Sequence, residues 1–325
     1  MDFQTKMLLA SFGVTVILGL IIVPILRKFK IGQIERADGP QSHLKKQGTP
    51  TMGGIIIMLG IIIVTTVAYI YYKSKDPELA KHLIPILCLT TGFGVIGLID
   101  DFKKLFLKNT EGLKPSLKMF GLLIISVIFV TYLVWGLKLG TETYIPFADI
   151  YINIPVGIYI PFAILVILAT TNAINLTDGI DGLSSSVSTI IITCLTVIAT
   201  MYEAKEIIVF GAIVIGATLG FLMFNIYPAK AFMGDTGSLF LGGVVSGIAL
   251  YLKMPILLLV IAIIPVIETI SVMIQVLVFK KTGKRIFKMA PIHHHFELSG
   301  WRENQVVMVF SVITLFACIL GLKII

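Results

Sequence analysis

Apolar residues run along this chain in blocks of roughly 20, the length needed to cross the hydrocarbon core of a bilayer as an α-helix. Ten such blocks can be drawn, at residues 7–26, 53–72, 83–99, 119–137, 155–174, 183–201, 206–224, 237–252, 255–279 and 306–324. None shows the two-residue alternation, in shorter segments, that a membrane β-barrel requires. The pattern predicts an all-α polytopic membrane protein with ten transmembrane helices in one integral-membrane domain, residues 1–325. The first block is too long for a signal-peptide core and lacks a small-residue cleavage site, so it reads as a retained span. The eighth block is short and the ninth is long.

Composition agrees with this reading. The chain is 57% hydrophobic and only 14% charged, whereas a soluble domain carries about a quarter charged residues. Charge then sets the orientation. The loops after blocks 1, 3, 5, 7 and 9 hold 18 of the 26 Lys and Arg residues. The positive-inside rule places those loops in the cytoplasm and both termini outside. Much of the +8 net charge is therefore a cytoplasmic basic face, suited to anionic lipid headgroups, and no nucleic-acid partner is expected. Cys88, Cys194 and Cys318 lie in three different spans without metal-ligand spacing and read as small packing residues. Two GxxxG patterns, Gly216 to Gly220 and Gly243 to Gly247, predict close helix packing.

The orientation, derived from Lys and Arg alone, puts five polar segments on one face. "HLKKQGTPTMGG" is in the first loop, and "LIDDFKK" opens the second with Asp100 and Asp101. "NAINLTDGIDGL" carries Asp178 and Asp181, "NIYPAKAFMGDTGS" carries Asp235, and "APIHHHFE" carries His293, His294 and His295. Each alone is weak evidence. An Asp pair at a helix end is commonly a solvated cap, a His triplet either binds a metal or stays in solvent, and "GTPTMGG" lacks the Gly-Lys-Ser/Thr of a phosphate-binding loop. Together they say more. Five Asp residues in three adjacent loops repel one another unless a cation or basic groups neutralise them. Carboxylate oxygens suit Mg²⁺ or Mn²⁺, and Lys45, Lys46, Lys104 and Lys118 suit a phosphate-bearing substrate. The face reads as a metal-assisted phosphoryl-transfer site at the membrane surface. A secondary transporter would place its carboxylates near the bilayer midplane, and a lipid-binding scaffold would not need five polar loops. Glu268 stands apart, inside block 9 after Pro265. An intramembrane carboxylate marks a functional site by default. The favoured expectation is that the helix breaks at Pro265 and lets Glu268 face the cavity.

"GTPTMGG", "LIDDFKK", "TTNAINLTDGIDGL", "FMGDTGS" and "APIHHHFE" resemble the signature segments of the polyprenyl-phosphate N-acetylhexosamine-1-phosphate transferases, over residues 40 to 302. "GTPTMGG" with "MAPIHHHFELSGW" is similar, within that superfamily, to the bacterial phospho-N-acetylmuramoyl-pentapeptide-transferases. The resemblance implies a Mg²⁺-dependent reaction of UDP-MurNAc-pentapeptide with undecaprenyl phosphate, giving lipid I and UMP, in a bacterial cytoplasmic membrane and in a homodimer. It also implies roles. Asp235 corresponds to the Mg²⁺ ligand, and Asp100 and Asp101 to the acidic pair near the lipid phosphate. Lys46 and Thr51 match first-loop positions that close over the nucleotide sugar. Asn175 and Asp178 match polar groups at the centre of the site, with Asp178 counted among the catalytic carboxylates. Gly179, Ile180 and Asp181 resemble a uracil-reading segment, with Phe232 its stacking partner. Lys104, Lys118, Asn172, Asn225, His293, His294 and His295 complete the expected substrate-binding set. Direct attack by the lipid phosphate is the expected route; a covalent aspartyl-phosphate is the alternative.

Overall fold

In the computed structural model, which describes residues 2–28, 46, 48–107 and 112–325, the apolar blocks fold as helices. Lys45 lies outside the described residues. In chain order the helices are α1 (Phe3–Lys28), α2 (Gly54–Lys75), α3 (Pro77–Leu107) and α4 (Pro115–Thr131), the last extended by a π-helical turn, Tyr132–Gly136. Strands β1 (Glu142–Ile145) and β2 (Ile150–Asn153) follow. Then come α5 (Val156–Thr177), α6 (Leu183–Met201), α7 (Lys205–Asn225) and α8 (Gly234–Tyr251). A 3₁₀ turn, Pro255–Leu257, leads to the short α9 (Leu258–Ile261), then α10 (Ile263–Thr282), α11 (Ile292–Glu297) and α12 (Glu303–Lys323). Among the described residues, nine helices are long and apolar enough to cross a membrane.

The expected eighth span, 237–252, lies in α8, which falls outside those nine for a physical reason. Every residue of α8 from Thr236 to Tyr251 is buried. A helix ringed by protein needs small residues for close approach more than it needs lipid-facing apolar bulk. A Cβ on Gly237 would lie 2.9 Å from the Gly54 Cα, and one on Gly242 would lie 2.5 Å from the Thr171 Cα. Gly243 packs on Phe93, and Gly247 on Leu89 and Ile86. These contacts draw α2, α3 and α5 around α8. The other GxxxG pair seats α1 on α7, since a Cβ at Gly216 would stand 2.1 Å from the Leu8 carbonyl oxygen and one at Gly220 2.9 Å from that of Phe12.

Three expectations are corrected. The fold is not purely helical: β1 and β2 form an antiparallel hairpin with Thr143 opposite Ile152. Its aromatic and β-branched residues favour an extended backbone, and Phe147 and Asp149, both at positive φ, close its turn. Tyr144 anchors the hairpin; its backbone N–H donates to the Lys253 carbonyl at 2.8 Å and its hydroxyl to the Ile324 carbonyl at 2.9 Å. The expected ninth span does break, but at Ala262 (φ −100°, ψ 34°), three residues before Pro265. Pro265 sits in the first turn of α10, where a missing N–H costs no intrahelical bond. Finally, α3 and α5 outrun their predicted edges, so Asp100, Asp101 and Lys104 stand on the last turns of a helix rather than in a loop. Lys118 likewise belongs to the first turn of α4.

Candidate active site

Two of the sequence segments meet backbone to backbone. Phe232 N–H donates to the Pro50 carbonyl, while Gly53 and Gly54 N–H donate to the Phe232 and Met233 carbonyls, each at 2.8 Å. "GTPTMGG" and "FMGD" are thus one assembled strip. It sets Thr51 beside Gly234, where a Cβ would lie 3.0 Å from the Thr51 Oγ1 and 2.6 Å from the Asp101 Oδ2. Gly234, at φ +71°, takes a conformation that L side chains rarely adopt.

Asp235, in the first turn of α8, is the hub. Its Oδ2 receives Lys104 Nζ and Lys118 Nζ, each at 2.8 Å, and its Oδ1 accepts the Asn175 amide at 2.9 Å. Asn175 also donates to the Ser238 hydroxyl at 2.8 Å. Lys104 Nζ lies 2.7 Å from the Asp100 Oδ2, and the Asp100 Oδ1 accepts the Leu113 N–H at 2.6 Å. Asp101 is fully committed to the end of α8. It accepts Asp235 N–H at 3.1 Å, Thr236 N–H at 2.9 Å and the Thr236 hydroxyl at 2.7 Å. It acts as a helix N-cap delivered from another helix.

The charges follow from this packing. Burial works to raise the Asp235 carboxyl, but its hydrogen bond with Asp100 and the Lys118 and Lys104 ammonium groups overcome that and hold it well below the ordinary carboxylate range. Asp178, the C-cap of α5, is pushed well above that range, first by burial and then by the charges of Asp235 and Asp101, with the Gly234 N–H opposing.

A second cluster adjoins the first. Lys46 Nζ lies 2.7 Å from the Asp181 Oδ1 and 2.5 Å from the Glu303 Oε2, and 5.9 Å from the ring centroids of both Tyr227 and Phe232. Burial works against the ammonium, yet the Glu303 and Asp181 carboxylates outweigh it and raise its pKa. The other Asp181 oxygen accepts the Ala229 N–H at 2.9 Å, so Asp181 also shapes the turn beneath Tyr227. Ile180 is buried, and Gly179 faces the His293 ring, which a Cβ would meet at 2.1 Å.

The remaining expected residues are engaged elsewhere. Asn225 is buried; it donates to the Ala231 carbonyl at 3.0 Å and accepts from the Ser185 hydroxyl, so it pins the turn rather than presenting a free amide. Asn172 donates to the Leu168 carbonyl of its own helix at 2.7 Å. The His295 Nδ1 accepts the Lys288 N–H at 3.1 Å. His294 Nδ1 lies 2.7 Å from the Glu297 Oε2. Sequence reasoning missed Glu303, Ser238 and Tyr227. Ser238 was legible, being one helical turn from Asp235 within "FMGDTGS". Glu303 carried the weaker signal of a lone acid opening a span on the Lys-rich face.

The donor set fits a hard divalent cation. Asp100, Asp101 and Asp235 offer oxygens all within 4.8 Å of one another, and oxygen ligands are what Mg²⁺ prefers. The Asp101 oxygens are tied to the backbone of α8, whereas Asp235 and Asp100 are held in part by the mobile ammonium groups of Lys104 and Lys118, which can shift to admit such an ion.

Comparison with known proteins adds an independent finding. Residues 82–253 match the profile described as Glycosyl transferase family 4, and residues 46–58 match the phospho-N-acetylmuramoyl-pentapeptide-transferase signature 1. The chain is 49% identical over 313 residues to the phospho-N-acetylmuramoyl-pentapeptide-transferase of Acetivibrio thermocellus, covering 96% of this chain and 92% of that one. It is 46% identical over 321 residues to the protein of that name from Clostridium novyi, covering 99% and 96%. Over 318 residues it is 45% identical to that of Halalkalibacterium halodurans, covering 97% and 95%.

Proposed function

The chain belongs to the phospho-N-acetylmuramoyl-pentapeptide-transferase family, and from that premise we propose that the Asp235 cluster is where its chemistry takes place. The protein transfers phospho-MurNAc-pentapeptide from UDP-MurNAc-pentapeptide to undecaprenyl phosphate, giving lipid I and UMP, in peptidoglycan synthesis. The observation that carries the siting is the meeting of two ammonium groups and an amide on one carboxylate, delivered by the ends of α3, α4, α5 and α8.

A lipid phosphate oxygen forms a bond to the β-phosphorus of the UDP-sugar, and the bond from that phosphorus to the bridging oxygen breaks, releasing UMP. A phosphate monoester has a second pKa near ~6 and is already mostly dianionic at neutral pH. Charge is the larger barrier. One like-charge pair at ~4 Å, in an effective dielectric of about 20, costs on the order of 4 kcal/mol. Lys104 and Lys118 offset that repulsion and stabilise the departing phosphate. A bound Mg²⁺, held by Asp235 with Asp100 beside it, would supply further neutralisation of phosphate charge. Lys46, Asp181 and Phe232, with Gly179 and Ile180, receive the nucleotide.

Turnover measured with purified protein, Mg²⁺ and undecaprenyl phosphate, given each UDP-sugar in turn, tests the reading. UMP release is expected with UDP-MurNAc-pentapeptide and little with UDP-N-acetylglucosamine. Comparable turnover of both would move the protein to the sister transferases.

We further propose that α8 is the eighth of ten spans, that both termini lie outside and that the site faces the cytoplasm, a reading supported by the excess of Lys and Arg in the odd-numbered loops, and that a second copy is the homodimer partner, as the family resemblance implies. Single cysteines at Ser74 and Lys281, both exposed at helix ends, on a background without the native three, check the orientation. In intact cells an impermeant maleimide should label position 74 only. Labelling of position 281 from outside would overturn the assignment.

A further inference from the structure

Glu268 is used by none of the chemistry above, yet it is a carboxylate buried in a spanning helix, completely shielded from solvent, as is His293. Such a group is costly unless it has a specific partner. The His293 Nδ1 lies 3.0 Å from its Oε1, and the His293 backbone N–H approaches its Oε2 at 3.5 Å. On the far side of the ring, Nε2 abuts Gly179; a Cβ there would lie 2.1 Å from Nε2 and 2.6 Å from Cε1. No other side chain but glycine fits beside the ring. Two turns along the same face of α10, Gln275 accepts the Ile286 and Phe287 N–H groups at 3.1 and 3.0 Å and donates to the Phe287 carbonyl at 3.0 Å. One helix face therefore holds the segment leading to the histidines at both ends, its backbone at Gln275 and its ring at Glu268.

We propose that Glu268 is a positioning residue for nucleotide-sugar binding, which fixes the rotation and tautomer of His293 and, through that ring, the Gly179 turn. The proposal rests on the reading that residues 179–181 meet the nucleotide. A carboxylate facing one ring nitrogen determines where the proton of a neutral imidazole resides. With the Glu268 carboxylate 3.0 Å from Nδ1, the proton is expected on Nδ1, with the Nε2 lone pair on the side of the Gly179 turn. Among the described residues neither ring nitrogen has a partner in hydrogen-bond geometry; Nδ1 meets the Glu268 Oε1 as a close contact, while Nε2 faces only the Gly179 turn, so its acceptor capacity is left for that turn.

The test uses the full chain in lipid nanodiscs, with wild type, Glu268→Leu and Glu268→Gln compared. Glu268→Leu should raise KM for the UDP-sugar about tenfold, the lower end of what loss of an orienting partner costs, and leave KM for undecaprenyl phosphate unchanged. Glu268→Gln keeps an oxygen that can accept the Nδ1 proton and should recover most of the loss. In a His293→Gln background, Glu268→Leu should add nothing. ¹⁵N-histidine NMR, with the His293 signals assigned from their loss in His293→Gln, should show protonated Nδ1 and bare Nε2 in wild type and a redistribution in Glu268→Leu. That spectrum needs no turnover, so it judges the Glu268–His293 link even if the assigned reaction fails. Should Glu268→Leu not fold, Glu268→Gln and the wild-type spectrum still decide. A bare Nδ1 in wild type, or a Glu268→Leu enzyme whose two KM values and His293 signals match wild type, overturns the proposal while leaving the site assignment standing.

Discussion

Asp235→Asn is expected to lower UMP release by on the order of 10³-fold, the upper end of what one preorganised electrostatic group contributes. The substitution preserves shape and removes one charge. That charge matters because Oδ2 is the common anchor of Lys104 and Lys118, and Oδ1 that of Asn175. An amide can offer an oxygen to only one side. Its NH₂ must then face either two ammonium groups or the Asn175 amide, both donors. The anionic oxygen that Mg²⁺ prefers is lost in the same step, so raised Mg²⁺ should restore activity in part at most. The pH dependence has a definite sign. The folded carboxyl titrates below its ordinary range, so the stability it contributes is present above the unfolded pKa and is lost as pH falls through the folded one. Asp235 is therefore ionised throughout the neutral range, and no pH near neutrality should rescue the variant. Thermal unfolding in the same detergent separates loss of charge from loss of fold. A folded Asp235→Asn enzyme that retains more than about a tenth of wild-type turnover would remove Asp235 from the centre of the site.

Much of this site could be read from the sequence because span ends force it. Once the odd loops share a face, Asp100, Asp235 and Asn175 have little choice but to converge. Lys104 falls one helical turn from Asp100 and completes the group. What escaped reading depends on contacts between distant positions. Asp101 looks like the twin of Asp100 in "LIDDFKK", but one residue is a hundred-degree rotation on a helix, and that rotation turns it into the cap of α8. Glu303 meets Lys46 across more than 250 positions, and no local spacing encodes that. Asn225 sits beside the substrate segments in sequence but spends its amide on the turn at Ala231. The break in the ninth block was expected at its proline, but a proline in a helix's first turn interrupts no intrahelical bond, and the backbone departs from helix at Ala262 instead. The hairpin was missed because the 142–153 segment lies between spans, where hydropathy carries no signal.

Asp100→Asn should also be damaging, on the order of a hundredfold, with only about a twofold part of that deficit, near pH 6, disappearing as pH rises. Two effects combine. Asp100 holds Lys104 at 2.7 Å and the Leu113 N–H at 2.6 Å, so its loss loosens one of the ammonium groups on Asp235 at every pH. Where it is ionised, Asp100 can also take the remaining proton of the lipid phosphate, general-base assistance that matters only for the monoanion. The second effect is needed only while the phosphate is a monoanion. With a second pKa near ~6, about half of the phosphate is protonated at pH 6 and under a tenth above about pH 7. The deficit should therefore fall by about twofold between about pH 6 and 8 and level off at a floor that reflects the misplaced Lys104. A covalent aspartyl-phosphate predicts otherwise: with the nucleophile gone, no pH restores turnover, and wild type given the UDP-sugar without lipid should accumulate a phosphorylated enzyme. The measurement is UMP release by wild type and Asp100→Asn from about pH 6 to 9, with a trapping experiment on wild type alone. A deficit that is flat in pH and no phosphoenzyme would leave Asp100 only the task of holding Lys104. A flat deficit together with an isolated phospho-aspartyl enzyme would sink direct attack by the lipid phosphate.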